Sequence, residues 1–486
     1  MSSSPLANLE PRLVWSHFDA IRQIPRPSKH EDKIIAHIVD WAKRKNLATR
    51  RDAAGNVVVK VPASPGHERA PVIVLQSHVD MVPEKNSDVK FDFLTDPIQV
   101  RVVDEWVYAT GTTLGSDNGI GVAAAMAVAE DPGAVHGPLE LLFTIDEETG
   151  LTGAMGLEPN LLDGRTLINL DTEEDGALYF GCAGGADATS TFTVKRKPAP
   201  EGAVAMTVSV RGLRGGHSGV DIHENRGNAL KFLARCLNAT RSQGVNFALA
   251  QLAGGSKHNA IPREADALVV VSKSKAGSLR RKVSNMAKAL KDEFGAIDPN
   301  QRIEVNDAVL PSTVWSKKDR DRVLDAMLGC PHGVLGMSRD VPGLVETSSN
   351  LAVAVTEGDT VRFTTSSRSS VMPSLRATTE QVAAVFRANG AEVHTHDGYP
   401  GWKPNPKSPI LNKTMAVFER EFGSKPAVKA IHAGLECGLI GDKFPGMDMV
   451  SMGPQIESPH SPDERVKIPT VGSFYRLLKA TLAAVA

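Results

Sequence analysis

Three short runs of Val, Ile and Leu, each stopping abruptly at His, Asp or Glu, constrain this chain more than any other feature. Pro71 to Gln76 leads into Ser77-His78-Val79-Asp80, Leu139 to Ile145 into Asp146-Glu147-Glu148, and Thr166 to Leu170 into Asp171. Short runs rich in β-branched residues and bounded by polar ones read as buried strands. Between the first two, Gly119 to Glu130 is a small-residue helix able to pack closely on a sheet. Strands alternating with helices imply an α/β unit, in which ligands collect beyond the carboxyl ends of the strands. The polar residues of this chain cluster at those ends.

The flanking sequence extends the pattern. Ser28-Lys-His-Glu31 has the form of a capping box, and Ile34, Ile35, Ile38, Val39 and Ala42 follow at helical spacing to about Lys45. Val57 to Val61 adds a strand. Beyond Gly181-Cys-Ala-Gly-Gly185 the texture changes. Ala205 to Val210, Ala267 to Ser272, Ala352 to Val355 and Thr360 to Thr365 read as strands, and Asn228 to Asn238, Leu279 to Phe294 and Lys318 to Leu328 as helices. Pro400-Gly-Trp-Lys-Pro-Asn-Pro406 reads as a linker, after which a helix and short strands lead to Ser458-Pro-His460-Ser-Pro-Asp463. A chain of 486 residues exceeds what one core supports. The expected organisation is a discontinuous α/β domain, residues 1–186 and 402–486, with a central mixed sheet flanked by helices. Residues 187–401 form an inserted α+β lid domain.

Lys plus Arg number 55 against 56 Asp plus Glu, leaving no excess of charge to neutralise nucleic acid or an anionic membrane. Met1 to Arg12 lacks a basic segment followed by an apolar one, and no apolar run is long enough to span a bilayer, so a cytoplasmic location is expected. The four cysteines, Cys182, Cys236, Cys330 and Cys437, lie far apart without a C-x-x-C pair. A metal, if bound, is then held by His and carboxylates.

Taken singly, the candidate residues have two readings each. His78 at a strand end is a structural histidine or a metal ligand oriented by Asp80. Asp117, just before the small-residue helix, is an N-cap or a carboxylate bridging two divalent ions. Glu147 and Glu148 are a solvated acidic pair, or a general base beside a ligand, because adjacent residues leaving a strand point in different directions. Asp171 and His460 are a turn residue and a loop histidine, or further ligands.

Together these segments resemble the co-catalytic zinc peptidases that include carnosinases, aminoacylases and glutamate carboxypeptidases, and within them the aminoacyl-histidine dipeptidases. The likeness is carried by Leu75 to Pro83, Gly111 to Gly121, Thr144 to Gly150, Asn169 to Glu174, His432 to Gly438 and Gly453 to Glu464. It implies that His78 and Asp171 bind one ion, Glu148 and His460 the second, and Asp117 bridges them, while Asp80 orients His78 and Glu147 is the base. Zinc is the expected metal, with cobalt or manganese as replacements.

The resemblance further implies that two lid segments, Arg214-Gly-Gly-His217-Ser-Gly219 and Lys257-His-Asn259-Ala-Ile-Pro-Arg263, reach the active site, often that of a partner subunit. His217 would stabilise the oxyanion and Asn259 hold the substrate. Arg368 is the candidate clamp for a free carboxylate, since a guanidinium pairs with it bidentately. Glu436 is a candidate for the substrate amine. The expectation is thus a homodimeric, two-metal hydrolase of dipeptides, Xaa-His dipeptides among them. An N-acyl amino-acid deacylase or another exopeptidase is the alternative in the same chemistry, and a non-catalytic metal-binding protein the alternative outside it.

Overall fold

The structure, a computed structural model, describes residues 4–486. Met1, Ser2 and Ser3, part of the amino-terminal stretch read above, lie outside the described residues. The chain divides into two compact units: one comprises residues up to 181 with 404–430 and 435–486, the other residues 182–403 with 431–434.

The first unit is built on an eight-stranded sheet, in whose middle Val57–Val61, Leu139–Thr144, Ile73–His78, Thr166–Asn169 and Asp448–Ser451 lie side by side in that order. Ile73–His78 runs parallel to Leu139–Thr144 and to Thr166–Asn169, and Val57–Val61 is antiparallel to Leu139–Thr144, so the sheet is mixed. Every residue of Ile73–His78 and Leu139–Thr144 is buried. That burial explains the apolar runs Ile73 to Leu75 and Leu141 to Phe143, and the buried polar residues beside them are paired: Gln76 Nε2 donates to Glu436, and Glu140 accepts the N–H of Gly164. Parallel neighbours finish at one edge of the sheet, so His78, the Asp146–Glu148 turn and Asp171 leave it together.

Helix Ser116–Glu130 is buried from Ser116 through Val128, as its Ala- and Gly-rich composition requires of a helix apolar all round. A Cβ on Gly121 would stand 2.7 Å from the carbonyl oxygen of Leu170, so only glycine allows this helix so near the strand end that carries Asp171.

Helix Asp32–Arg44 follows the apolar spacing, burying Ile34, Ile35, Ile38, Trp41 and Ala42. Its start differs from the expected capping box, for no side chain caps it. Ser28 Oγ donates instead to Asp80 at 2.7 Å, and Glu31 accepts from the N–H of Asp146 at 3.0 Å. Ser28 is drawn away by a tertiary partner, and Glu31 is shared between that N–H and the local N–H of Lys29 at 2.8 Å.

The second unit carries a nine-stranded sheet, running from Arg302–Ala308 at one edge through Val345–Glu357 and Thr360–Ser369 to Glu392–Thr395 at the other. Helices Ala229–Ser242, Ala276–Phe294, Lys317–Gly329 and Met372–Ala388 pack on it: Leu233, Val283, Val323 and Phe386 join Val208, Val269, Leu351 and Phe363 of the strands in one buried cluster. Two strands are longer than their apolar cores suggest. Ser348, Ser349 and Asn350 in the first, and Ser366 to Ser369 in the second, are polar yet buried. Hydrophobic patterning stops at such residues, whereas the ladder continues: Thr347 meets Ser369 at 2.9 Å and Asn350 donates to the carbonyl of Ala260 at 2.8 Å.

The Pro400–Pro406 stretch is not a loose linker. Trp402 is buried and exchanges two backbone hydrogen bonds with Cys182, at 2.9 and 3.0 Å. All four cysteines are buried. Among the described residues no helix is long and apolar enough to cross a membrane.

Candidate metal centre

At the sheet edge of the first unit the structure brings together His78, Asp117, Glu148, Asp171 and His460. Two groups of potential ligand atoms share one member: His78, Asp117 and Asp171 form the first, and Asp117, Glu148 and His460 the second. Asp117 Oδ1 lies 3.0 Å from His78 Nε2, and Asp117 Oδ2 lies 3.2 Å from His460 Nε2. His78 Nε2 is 3.3 Å from Asp171 Oδ1, and His460 Nε2 is 2.9 Å from Glu148 Oε2. Donor atoms around a tetrahedral zinc-sized ion, each about 2.0–2.1 Å from it, stand about 3.3 Å from one another. The spacing, an all-N/O donor set, and three carboxylates with two imidazoles therefore fit two divalent cations. Glu148 Oε1, buried without a hydrogen-bond partner, supports the same fit.

The loops bearing these residues are held by buried charges. Asp80 Oδ1 is 3.2 Å from His78 Nδ1 and also accepts the N–H of Glu147 at 3.0 Å, while its Oδ2 accepts the N–H of Glu148 at 3.2 Å. Asp146, with a φ of 49°, begins this turn. Glu31, Asp80 and Asp146 form a further group with metal-ligand spacing. Their oxygens are taken up by backbone N–H groups and hydroxyls, including Thr152 Oγ1 at 2.6 Å from Asp146. Arg26, buried, donates to the carbonyls of Val79 and Asp80 at 2.8 and 2.7 Å and to that of Gly115.

Charge in the centre is balanced locally. Burial opposes a charge on His78, but Asp171, Asp117 and Asp80 outweigh it and raise its pKa well above the ordinary imidazole value. Hydrogen bonding of its ring N–H to Asp117 and Glu148 raises His460 to about 11. Burial pushes up Glu148 to about 7 and Asp171 to about 6. It pushes Asp117 the same way, yet His460 and His78 prevail and hold that carboxyl below its usual range. Glu147, half-buried, is raised well above the carboxylate range by desolvation, with Asp171, Glu436 and Glu148 adding to it. A centre so dense in carboxylates retains positive charge, as protons or as cations in their place.

Glu436 is 1% exposed and lies beneath the strand ends, where its Oε2 accepts from Gln76 Nε2 at 2.6 Å and Thr144 Oγ1 at 2.7 Å. Its other oxygen, Oε1, is buried without a hydrogen-bond partner.

In the second unit, His217 belongs to a short strand pair in which it opposes Ala260. Asn259 is exposed, and its carbonyl accepts the N–H of Ser218 at 2.9 Å. His217 Nδ1 accepts the N–H groups of Gly219 and Val220 at 3.2 and 3.0 Å. An Nδ1 committed as acceptor puts the ring proton on Nε2. Burial and the nearby Arg368 lower the His217 pKa to about 4, so the ring is a neutral donor at physiological pH. Arg368 is buried, donates to Tyr399 Oη at 2.9 Å and keeps Nε without a partner.

Sequence reasoning passed over several residues. Glu173, raised to about 9 by burial and then by Asp117 and Asp171, and Glu464, buried, both lie inside motif segments already marked in the sequence. Arg26 belongs to no chemical pattern, and the capping-box form of Glu31 does not point to its bond with Asp146; only tertiary contact reveals either role. His432, buried and 2.8 Å from Ser348 Oγ, opens another marked segment.

The model of peptidase family M20/M25/M40 matches residues 74–484. A cytosol non-specific dipeptidase from Escherichia coli strain K12 is 41% identical over 479 residues, covering 99% of each chain. The crystal structure of an aminoacylhistidine dipeptidase from Vibrio alginolyticus superposes with a TM-score of 0.93 at 43% identity, covering 99% of this chain and 98% of that one. An aminopeptidase PepT from Bacillus cereus, at 14% identity and a TM-score of 0.57 over 98% and 99% of the two chains, shares the fold. With the family model spanning most of its length and these relatives alike from end to end, this chain belongs to peptidase family M20/M25/M40.

Proposed function

We propose that the chain hydrolyses dipeptides, Xaa-His dipeptides among them, at a two-zinc centre held by His78 and Asp171, by Glu148 and His460, and by Asp117 between them. The observation that carries this reading is the division of Asp117, one carboxylate oxygen turned to each histidine at 3.0 and 3.2 Å. Two divalent ions in such a centre polarise a scissile carbonyl and acidify water at neutral pH.

Glu147 takes the proton from the attacking water and returns it to the leaving amine. Asp80 orients His78 and holds the turn on which Glu147 stands. His217, with its proton on Nε2, is the neutral donor to the developing oxyanion. Arg368 receives the substrate's carboxylate, Asn259 helps hold the peptide, and Glu436 serves its amine end from below.

The working form is a cytoplasmic homodimer in which the lid of one subunit serves the centre of its partner. The names of the Escherichia coli and Vibrio alginolyticus relatives support a dipeptide substrate and a cytosolic setting. Turnover of Xaa-His dipeptides, other dipeptides and N-acyl amino acids by the zinc-loaded chain is the test. Preference for dipeptides is expected, and exclusive hydrolysis of N-acyl amino acids overturns the substrate class.

A further inference from the structure

The regular part of helix Ser116–Glu130 begins after a kink: Asp117 (φ −82°, ψ 113°) and Asn118 (φ −103°, ψ 32°) depart from helical geometry, so Leu114 to Asp117 form a turn that leads into it. The N–H groups of that turn are taken up by a carboxylate far along the chain. Glu464 Oε2 accepts the N–H groups of Leu114 and Gly115 at 2.7 and 3.0 Å, and Oε1 accepts the N–H groups of Ser116 and Asp117 at 2.7 and 3.3 Å and Ser116 Oγ–H at 2.6 Å. Glu464 is 2% exposed. An anion at this position is favourable through the charge-assisted hydrogen bonds it accepts.

Two consequences follow for the centre. Glu464 grips the backbone on which Asp117 stands, the Asp117 N–H included, while the carboxylate of Asp117 faces His78 and His460. Glu464 also closes a turn back onto Ser461 through a backbone bond of 3.0 Å, so the loop carrying His460 is fastened to the loop carrying Asp117.

We propose that Glu464 is the positioning residue of the bridging carboxylate: by gripping the turn that carries Asp117 and tethering the His460 loop, it sets the affinity for the second metal ion. This rests on the ligand assignment given above. His460 is the most open member of the centre, its side chain 49% exposed against 9% or less for His78, Asp117 and Glu148. The ion shared by His460 and Glu148 is therefore the first to loosen when the tether goes. In Glu464→Gln, an amide N–H replaces one of two oxygens that both face N–H donors, so the grip on the Asp117 turn is broken with little change in volume.

The full-length chain, stripped of metal, is titrated with Co2+ alone and followed by calorimetry and visible absorbance. Wild type, Asp117→Ala, Glu464→Gln, Glu464→Asp and Leu478→Ala are compared; Leu478 is a buried apolar residue in helix Ile468–Val485 that controls for lost stability. Wild type taking up fewer than two ions per chain overturns the ligand assignment itself, and this inference with it. With two ions in wild type and disruption by Asp117→Ala, folded Glu464→Gln is expected to bind the second ion about 10–100-fold more weakly, with an altered visible band. Leu478→Ala is expected to keep both affinities. Unchanged affinities in folded Glu464→Gln, or an equal loss in Leu478→Ala, overturn the positioning role while leaving the ligand assignment standing. If Glu464→Gln does not fold, Glu464→Asp, charged but one methylene short, is read the same way: a weakened second ion supports the role and an unchanged one refutes it.

Discussion

The carboxylate of Asp80 accepts the backbone N–H of Glu147 at 3.0 Å across a sequence separation of 67 residues. The same oxygen lies 3.2 Å from His78 Nδ1. One side chain thus fixes the ring of a proposed ligand and the backbone of the proposed base. Asp80→Ala is expected to weaken one metal position by about 10–100-fold and, with metal restored to saturation, still to show a reduced kcat. Full recovery of kcat at saturating metal shows that Asp80 acts through His78 alone.

Asp117 and Asp171 differ in how many ions each serves. Asp117→Ala is expected to disturb both metal positions and Asp171→Ala one first, measured as zinc retained per chain at limiting zinc. Two ions retained with unchanged affinity in Asp117→Ala defeat the bridge.

His217 presents Nε2–H as a neutral donor, its Nδ1 held by two backbone N–H groups. Removal of an oxyanion donor slows turnover by roughly 100- to 1,000-fold, so His217→Ala is expected to lose kcat on that scale with zinc content intact. Mixing His217→Ala with Glu147→Ala tests the dimer. If the lid serves the partner, one centre of each heterodimer has both groups and activity returns. Verified heterodimers as inactive as either parent place His217 in its own chain's site.

His432 gives a pH dependence unrelated to the centre's ligands. Burial, with Arg368 and His217 adding to it, lowers its pKa to about 3, and Ser348 Oγ stands 2.8 Å from its Nε2. The unfolded chain binds this proton near pH 6.5 and the folded chain does not. The stability so contributed is full above pH 6.5 and is lost as pH falls toward 3, about 2 kcal/mol of it between pH 6.5 and 5. Thermal midpoints of the metal-free protein across that range are expected to fall more steeply for wild type than for His432→Gln. Parallel curves contradict the account.

Much of this is legible in the sequence alone. The strand ending at His78 is marked by the apolar run Ile73 to Leu75, which burial on both faces favours, and the family is readable from ordered motifs that no single residue carries. Boundaries fail where polar residues are buried: Ser348 to Asn350 and Ser366 to Ser369 continue strands that hydrophobicity ends early. Capping fails for a related reason. Ser28 and Asp117 have the sequence form of local caps, yet Ser28 turns to Asp80 and Asp117 to His78 and His460. Local propensity has no knowledge of a partner hundreds of residues away. Arg26, which holds the site's loops through backbone carbonyls, leaves no chemical signature in sequence at all, and the capping-box form of Glu31 gives no sign of its bond to Asp146.

The central claim is that a Glu147 carboxylate moves the proton at a centre whose ions are held by other residues. Glu147→Gln keeps the shape and removes the basic oxygen. Zinc content and kcat for dipeptide hydrolysis, measured on the same preparation, test it most directly. The account predicts two zinc ions per chain with kcat lowered by about 100- to 10,000-fold; near-normal hydrolysis by the fully metallated variant contradicts it.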